Sequence, residues 1–177
     1  MKKNWYAVYT RPKCEKKVAA SLTKKRIECF CPMNRIIKTN SFDKKKLITE
    51  PLFPSLVFLN INHEEMQSVK QCNEVINFMY WLGKEMTFSE HEIDNIKDFS
   101  ESNYNIISEK IKVTTSNNMI RIVTRNPLVQ TEENVYVMNT VRIKLSLPSL
   151  GYQLIADNNE MMMDIDLKTE NNAVFVS

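Results

Sequence analysis

The sequence predicts an α+β protein: strands and amphipathic helices over the first hundred residues, followed by a small β-barrel. Three observations predict it. The stretch Glu50–Phe58 holds two prolines three positions apart, Pro51 and Pro54, which exclude a helix because each fixes φ, removes an amide donor and pushes the residue before it towards an extended conformation. The segments opening at Pro12 and Ser89 carry apolar residues at helical spacing. Beyond residue 112, short runs rich in branched residues recur between polar turns, the close spacing of a small barrel. The expected division is therefore 1–99, a linker over 100–112, and a barrel with a tail over 113–177.

An apolar content of 43% with 25% charged residues suffices for a core without disulfides or a structural metal. The charged start Met1-Lys2-Lys3-Asn4 runs into Arg11 before any signal-peptide-like apolar stretch can form, and no run reaches membrane-spanning length. A cytoplasmic chain with reduced Cys14, Cys29, Cys31 and Cys72 is expected. Cys29 and Cys31 would share one face of a strand, but no second Cys or His pair completes a zinc site; neither metal nor cofactor is expected. The net charge of +3 hides an asymmetry. Residues 1–46 hold fourteen Lys or Arg against Glu15, Glu28 and Asp43, which leaves ten basic and eighteen acidic residues for the rest. A basic front with an acidic back suits a polyanion near the N-terminal part.

Residues 4–10 read as a strand with Trp5, Ala7 and Tyr9 on one face and Tyr6, Val8 and Thr10 on the other. Thr10 is placed to cap a helix from Pro12 to about Arg26, whose stripe of Cys14, Val18 and Leu22, with Ala19 and Arg26 alongside, would pack on the sheet. Lys13, Lys17 and Lys24 fall on the other side, which for an isolated helix is a solvated face. Glu28–Lys38 and Leu47–Pro51 read as extended around a polar, basic hairpin tip at 39–46. From Ser55, Val57, Leu59 and Ile61 alternate with Leu56, Phe58 and Asn60, so both faces of this strand are apolar near its start. Such a strand is either sandwiched in its own protein or keeps one side for a partner. Asn62 caps a short helix over 63–70, Val75–Trp81 is a strand, and Ser89 with Glu92 forms a capping box for a helix packed through Ile93 and Ile96. Residues 100–112 are poor in apolar residues, as a linker would be. Met119–Val123, Val135–Met138, Val141–Leu147 and Tyr152–Ala156 are the barrel strands, and Glu160–Ser177 is a tail or ends in a strand at Ala173–Val176.

Three blocks resemble one family. Leu52-Phe53-Pro54-Ser55-Leu56 is similar to the signature of the NusG N-terminal domain, in which an apolar residue, Phe, Pro, a small residue and an aromatic precede a strand. Trp5–Pro12 with Glu15–Val18 resembles its opening strand and helix, and Val75–Lys84 its later strand. The Pro-Leu-Phe-Pro form is similar to the specialised paralogues, of RfaH and polysaccharide-operon antiterminator type. The resemblance implies an antiparallel sheet flanked by helices, followed by an SH3-like barrel with a degenerate KOW signature at Arg125–Val129, since the chain's two glycines, Gly83 and Gly151, are not there. It leaves open a helical state of that region docked on the first domain.

The same resemblance implies a transcription elongation or antitermination factor whose hydrophobic depression receives the clamp helices of the largest RNA polymerase subunit. The matching residues are Tyr9, Phe53, Leu56, Phe58 and Phe78, and the reading requires an accessible hollow around them. Arg11, Lys13 and Lys17 are implied as phosphate contacts to the non-template DNA of the transcription bubble. Glu65, Gln67 and Ser68 stand where relatives touch the polymerase gate loop, with little likeness in residue type. Ser55 stands where Gly is common, so the turn is expected not to need a Gly-only backbone. Leu56 replaces an aromatic, keeping apolar area without a ring. A monomer without a membrane partner is expected, and the barrel is the implied seat of a ribosomal protein contact. An enzyme is not expected: Cys72, His63, His91 and Asp94 supply thiol, base and orienter only as residue types, without a spacing that carries mechanics. The competing reading is an RNA- or ribosome-binding KOW-like protein.

Overall fold

The computed structural model describes residues 2–39, 44–116, 119–124 and 141–158. In chain order the elements are β1 (Asn4–Thr10), α1 (Glu15–Lys24), β2 (Glu28–Phe30), β3 (Met33–Thr39), β4 (Lys45–Pro51), β5 (Leu56–Ile61), α2 (Glu65–Lys70) and β6 (Val75–Phe78). There follow β7 (Tyr80–Trp81), β8 (Lys84–Glu85), β9 (Thr87–Phe88), α3 (Glu90–Ser102), β10 (Ile107–Ser116), β11 (Met119–Thr124), β12 (Val141–Leu147) and β13 (Tyr152–Asn158). The central sheet is antiparallel in the order β2-β5-β1-β6, with β9 also paired to β1.

Alternation along β5 splits the core in two. Val57, Leu59 and Ile61 meet Val18 and Leu22 of α1 and Met66 and Val69 of α2, whereas Leu56 and Phe58 turn to Trp5, Ala7, Phe88 and the Ile93 and Ile96 stripe of α3. The doubly apolar strand is thus sandwiched. The second cluster also takes in Ile106, Leu147, Leu150, Leu154 and Ala156 from the C-terminal part, so one face of the central sheet carries α1 and α2 and the other carries α3 together with a second sheet.

That second sheet differs from the barrel expected. Among the described residues it is an open four-stranded antiparallel sheet in the order β11-β10-β13-β12. β10 divides its pairing, Ile107–Lys110 with β13 and Ile111–Ser116 with β11. Its apolar side chains Leu147, Leu154 and Ala156 are buried against the first half of the chain, and this burial takes the place of closure on itself. The region is in strands, not helices, at 141–147 and 152–158. Val135–Met138, Arg125–Val129, Glu160–Ser177 and the Ala173–Val176 run lie outside the described residues.

Other expectations shift in detail. α1 begins at Glu15 with Cys14 before it, and Thr10 caps nothing: its hydroxyl donates to the Arg11 carbonyl. The helix ends without a glycine. Arg26 adopts φ 62°, Arg26 N–H donates to Thr23 O and Ile27 N–H to Leu22 O, the paired bonds of a left-handed C-terminal cap with buried Ile27 over Leu22. The strand expected over 75–81 breaks after Phe78; Tyr80–Trp81 turns back on Lys84–Glu85 through Leu82 and Gly83, both at positive φ, the geometry of a tight hairpin turn. The predicted box forms, Ser89 with Glu92, and Asn62, expected as a cap alone, exchanges the same side-chain and backbone bonds with Glu65.

The stretch expected as a linker has structure. Residues 100–102 close α3 and 107–112 belong to β10. Between them, buried Asn34 donates to the Ile106 carbonyl at 2.7 Å and accepts from Ile106 N–H at 3.0 Å, while Arg35 donates to the carbonyls of Ser100, Glu101 and Asn103 and lies over the Tyr104 ring. The polar groups that made this segment look solvent-borne are satisfied by β3 instead.

Candidate functional site

The loop before β5 is held by two residues from far along the chain. Ser55 sits at φ 60°, a conformation unfavourable for any residue with a Cβ, so the turn does require the left-handed backbone that glycine adopts most easily. Ser55 N–H donates to the carboxylate of buried Glu15 at 2.6 Å, and Ser55 O accepts from Thr10 N–H at 2.9 Å. With this loop fixed, Phe53 meets Phe58 edge-to-face at 6.1 Å, and Phe58 meets Phe88 at 5.5 Å.

Of the five apolar residues singled out, four come together on one face. Tyr9 lies opposite Leu56 across the β1–β5 pair, and Phe53 and Phe58 adjoin Leu56 in one cluster. Phe78 does not join them: it lies on the other face, edge-on to Tyr6 at 6.2 Å, among the residues under α1 and α2. Phe53, Leu56, Phe58 and Phe78 are all buried, and Tyr9 alone is exposed, at 41%.

Besides α3, what covers the face is the β12–β13 turn. The Tyr152 ring packs on Phe53 at 5.2 Å, and Leu150 is buried in the same cluster. A cavity of about 250 Å³ remains, lined by Tyr9, Pro54, Leu56, Met79, Lys110, Leu150 and Tyr152. A polar contact fastens the turn: Ser149 Oγ donates to Glu92 at 2.5 Å. Partial burial pushes the Glu92 carboxyl up, but bonds from Ser149 and from the Ser89 amide and hydroxyl outweigh it and hold it below the ordinary carboxylate range. Leu150 and Tyr152 were not legible as part of this site, although an apolar residue inside the turn Pro148-Ser149-Leu150-Gly151 is the signal that finds it.

The basic residues lie at the far end of β1. Arg11, Lys13 and Lys17 are exposed; Arg11 N–H donates to Glu74 O, and Lys13 has φ 63°. Lys17 is ion-paired with Glu74 at 2.5 Å, and the hydrogen bond to Glu74 raises its pKa. A larger open groove of about 550 Å³ runs between Pro12, Lys13, Lys16 and the 49–55 segment. Burial pushes the Cys29 and Cys31 thiols up to about 11, so both stay protonated at neutral pH. Among the described residues no helix is long and apolar enough to cross a membrane.

Residues 3–97, just over half of the chain, match the family model described as "Transcription termination factor nusG". The chain belongs to the NusG family. NusG-family proteins are transcription elongation and termination factors that generally act with RNA polymerase. The chain is also similar to a solved structure titled "Domain interaction in Thermotoga maritima NusG", at 18% identity and a TM-score of 0.47, covering 89% of this chain and 93% of that one. No curated protein matches it. The NusG match ends in α3, so the C-terminal sheet lies beyond it.

Proposed function

We propose that this NusG-family chain is a specialised, RfaH-like paralogue that rides on elongating RNA polymerase and suppresses pausing or termination. The clamp helices of the largest subunit bind the face of Phe53, Leu56 and Phe58, with Tyr9 at its rim. The observation that carries this reading is that the face is capped by a turn of the C-terminal sheet, Leu150 and Tyr152, rather than filled wholly by the first half of the chain. As folded it is closed, so binding requires that turn to lift, and the apparent affinity is reduced by the fraction of molecules open. Phe78, on the opposite face, takes no part. Binding across the clamp disfavours its opening to the extent of the differential affinity for the two clamp states. Arg11 and Lys13 contact the non-template strand through phosphates, with Lys17 secondary because Glu74 holds it.

Truncating Phe53 or Phe58 is a poor test, because each is essentially fully buried and removal would cost about 3–5 kcal/mol of stability. The informative variant opens the cap. Leu150→Asp with Tyr152→Asp should raise recovery of polymerase from lysate several-fold over the unaltered chain, and adding Tyr9→Ala should reverse the gain. Unchanged recovery in the opened variant refutes the assignment; ribosomal proteins recovered in place of polymerase would favour the RNA- or ribosome-binding reading.

A further inference from the structure

We propose that Cys29, Cys31 and Met33 form a binding site for a soft monovalent metal ion, Cu(I), away from the face that the polymerase reading uses. Successive side chains of a strand alternate, and β2 obeys this: Phe30 turns to the core beneath α3, stacked on Phe58 at 6.0 Å, while Cys29 and Cys31 turn to the core beneath α1. Two residues on, Met33 brings a third sulfur. Cys31 Sγ donates to Met33 Sδ at 4.0 Å. With a metal–sulfur bond of about 2.3 Å, two sulfurs on one ion stand about 3.8–4.6 Å apart, from tetrahedral to linear coordination. This pair already has that spacing.

The backbone holds the three sulfurs in place. Pro32 has a fixed φ and pushes Cys31 towards an extended conformation, and its carbonyl accepts from Leu52 N–H at 2.8 Å. Cys29 is paired with Leu59 on one side of it and Met33 with Pro51 on the other. All three side chains are half-buried, open enough for an ion to enter. Thiolate and thioether are soft donors that select Cu(I) or zinc, but structural zinc is almost always four-coordinate. Among the described residues no three of His, Cys, Asp and Glu are placed to hold a metal, so only Met33 joins the two thiols. Cu(I), which three sulfurs satisfy, is therefore the occupant. Binding is not a redox step: both S–H bonds break, two S–Cu bonds and one thioether contact form, two protons pass to solvent and copper stays Cu(I). Burial keeps both thiols protonated until then, Glu28 adding to this at Cys29 and Glu15 at Cys31, while the Thr23 hydroxyl and the Lys16 ammonium oppose it. Cys29 gives up its 3.3 Å bond to the Ile27 carbonyl.

The test is anaerobic competition between the full chain and a chromophoric Cu(I) chelator, bicinchoninate, with Cu(I) itself as the probe. A single ion per chain should transfer to the protein, and X-ray absorption should show sulfur neighbours at about 2.3 Å. Met33→Leu conserves volume and fold and should weaken binding by at least about tenfold, the least that losing even an outer partner of a metal site costs. Cys29→Ser with Cys31→Ser should abolish binding with the circular dichroism unchanged. Cys14→Ala with Cys72→Ala should leave it intact. No transfer to the unaltered chain, undiminished binding by either the Met33 or the Cys29–Cys31 variant, loss in a folded Cys14–Cys72 variant, or zinc displacing the copper would each overturn the proposal.

Discussion

At the scale of single residues, the instructive position is Ser55. A serine in place of the common glycine reads as a sign that the turn has no special backbone, yet Ser55 adopts φ 60°. The explanation lies forty residues away, where the carboxylate of Glu15 takes the Ser55 amide, a pairing that no local pattern encodes. Ser55→Gly should therefore stabilise the chain. A left-handed conformation costs a residue with a Cβ about 1–2 kcal/mol, glycine's extra unfolded freedom offsets about 0.5–1, and the remainder, roughly 0.5–1 kcal/mol, should appear as a higher denaturation midpoint. Glu15→Ala acts in the opposite sense, because it leaves a half-buried amide unpartnered at about 1–3 kcal/mol. The alternating faces of β1 and β5 were fully legible, since period two along a strand leaves no choice once one residue is placed.

At the scale of elements, periodicity and the Ser89–Glu92 capping box placed α1, α3, β1, β5, β12 and β13 to within a few residues, whereas β10 was missed. The linker reading of 100–112 failed for a physical reason: its polar backbone is matched by β3, and composition reports only what is not apolar. Asn34 replaces a strand partner for Ile106, with both of its amide groups used on backbone. Asn34→Ala should cost about 2–3 kcal/mol by leaving the Ile106 amide and carbonyl without partners. Limited proteolysis should then cut between Ser102 and Ile107 faster than in the unaltered chain; an unchanged rate would mean that Arg35 and the C-terminal sheet hold the segment alone.

At the scale of the molecule, the two cores share one sheet, and the C-terminal sheet closes the second of them through a turn fastened by Ser149 and Glu92. The candidate face was legible as residue types, but its cover was not, because the partner of an apolar face is a tertiary fact. The fastening is pH-dependent with a definite sign. The Glu92 carboxyl lies below its ordinary value in the folded chain, so its contribution is present above the unfolded carboxylate pKa and is lost as pH falls through the folded one. Glu92→Gln isolates that charge, since glutamine still completes the capping box with Ser89. The variant should melt below the unaltered chain at neutral pH, with faster amide exchange at Leu150 and Gly151 and stronger polymerase recovery. The two melting temperatures should converge as pH falls below the carboxylate range. Melting curves that stay parallel across that range would mean the turn is held by Leu150 and Tyr152 alone, and the release of the apolar face would then answer to packing rather than to charge.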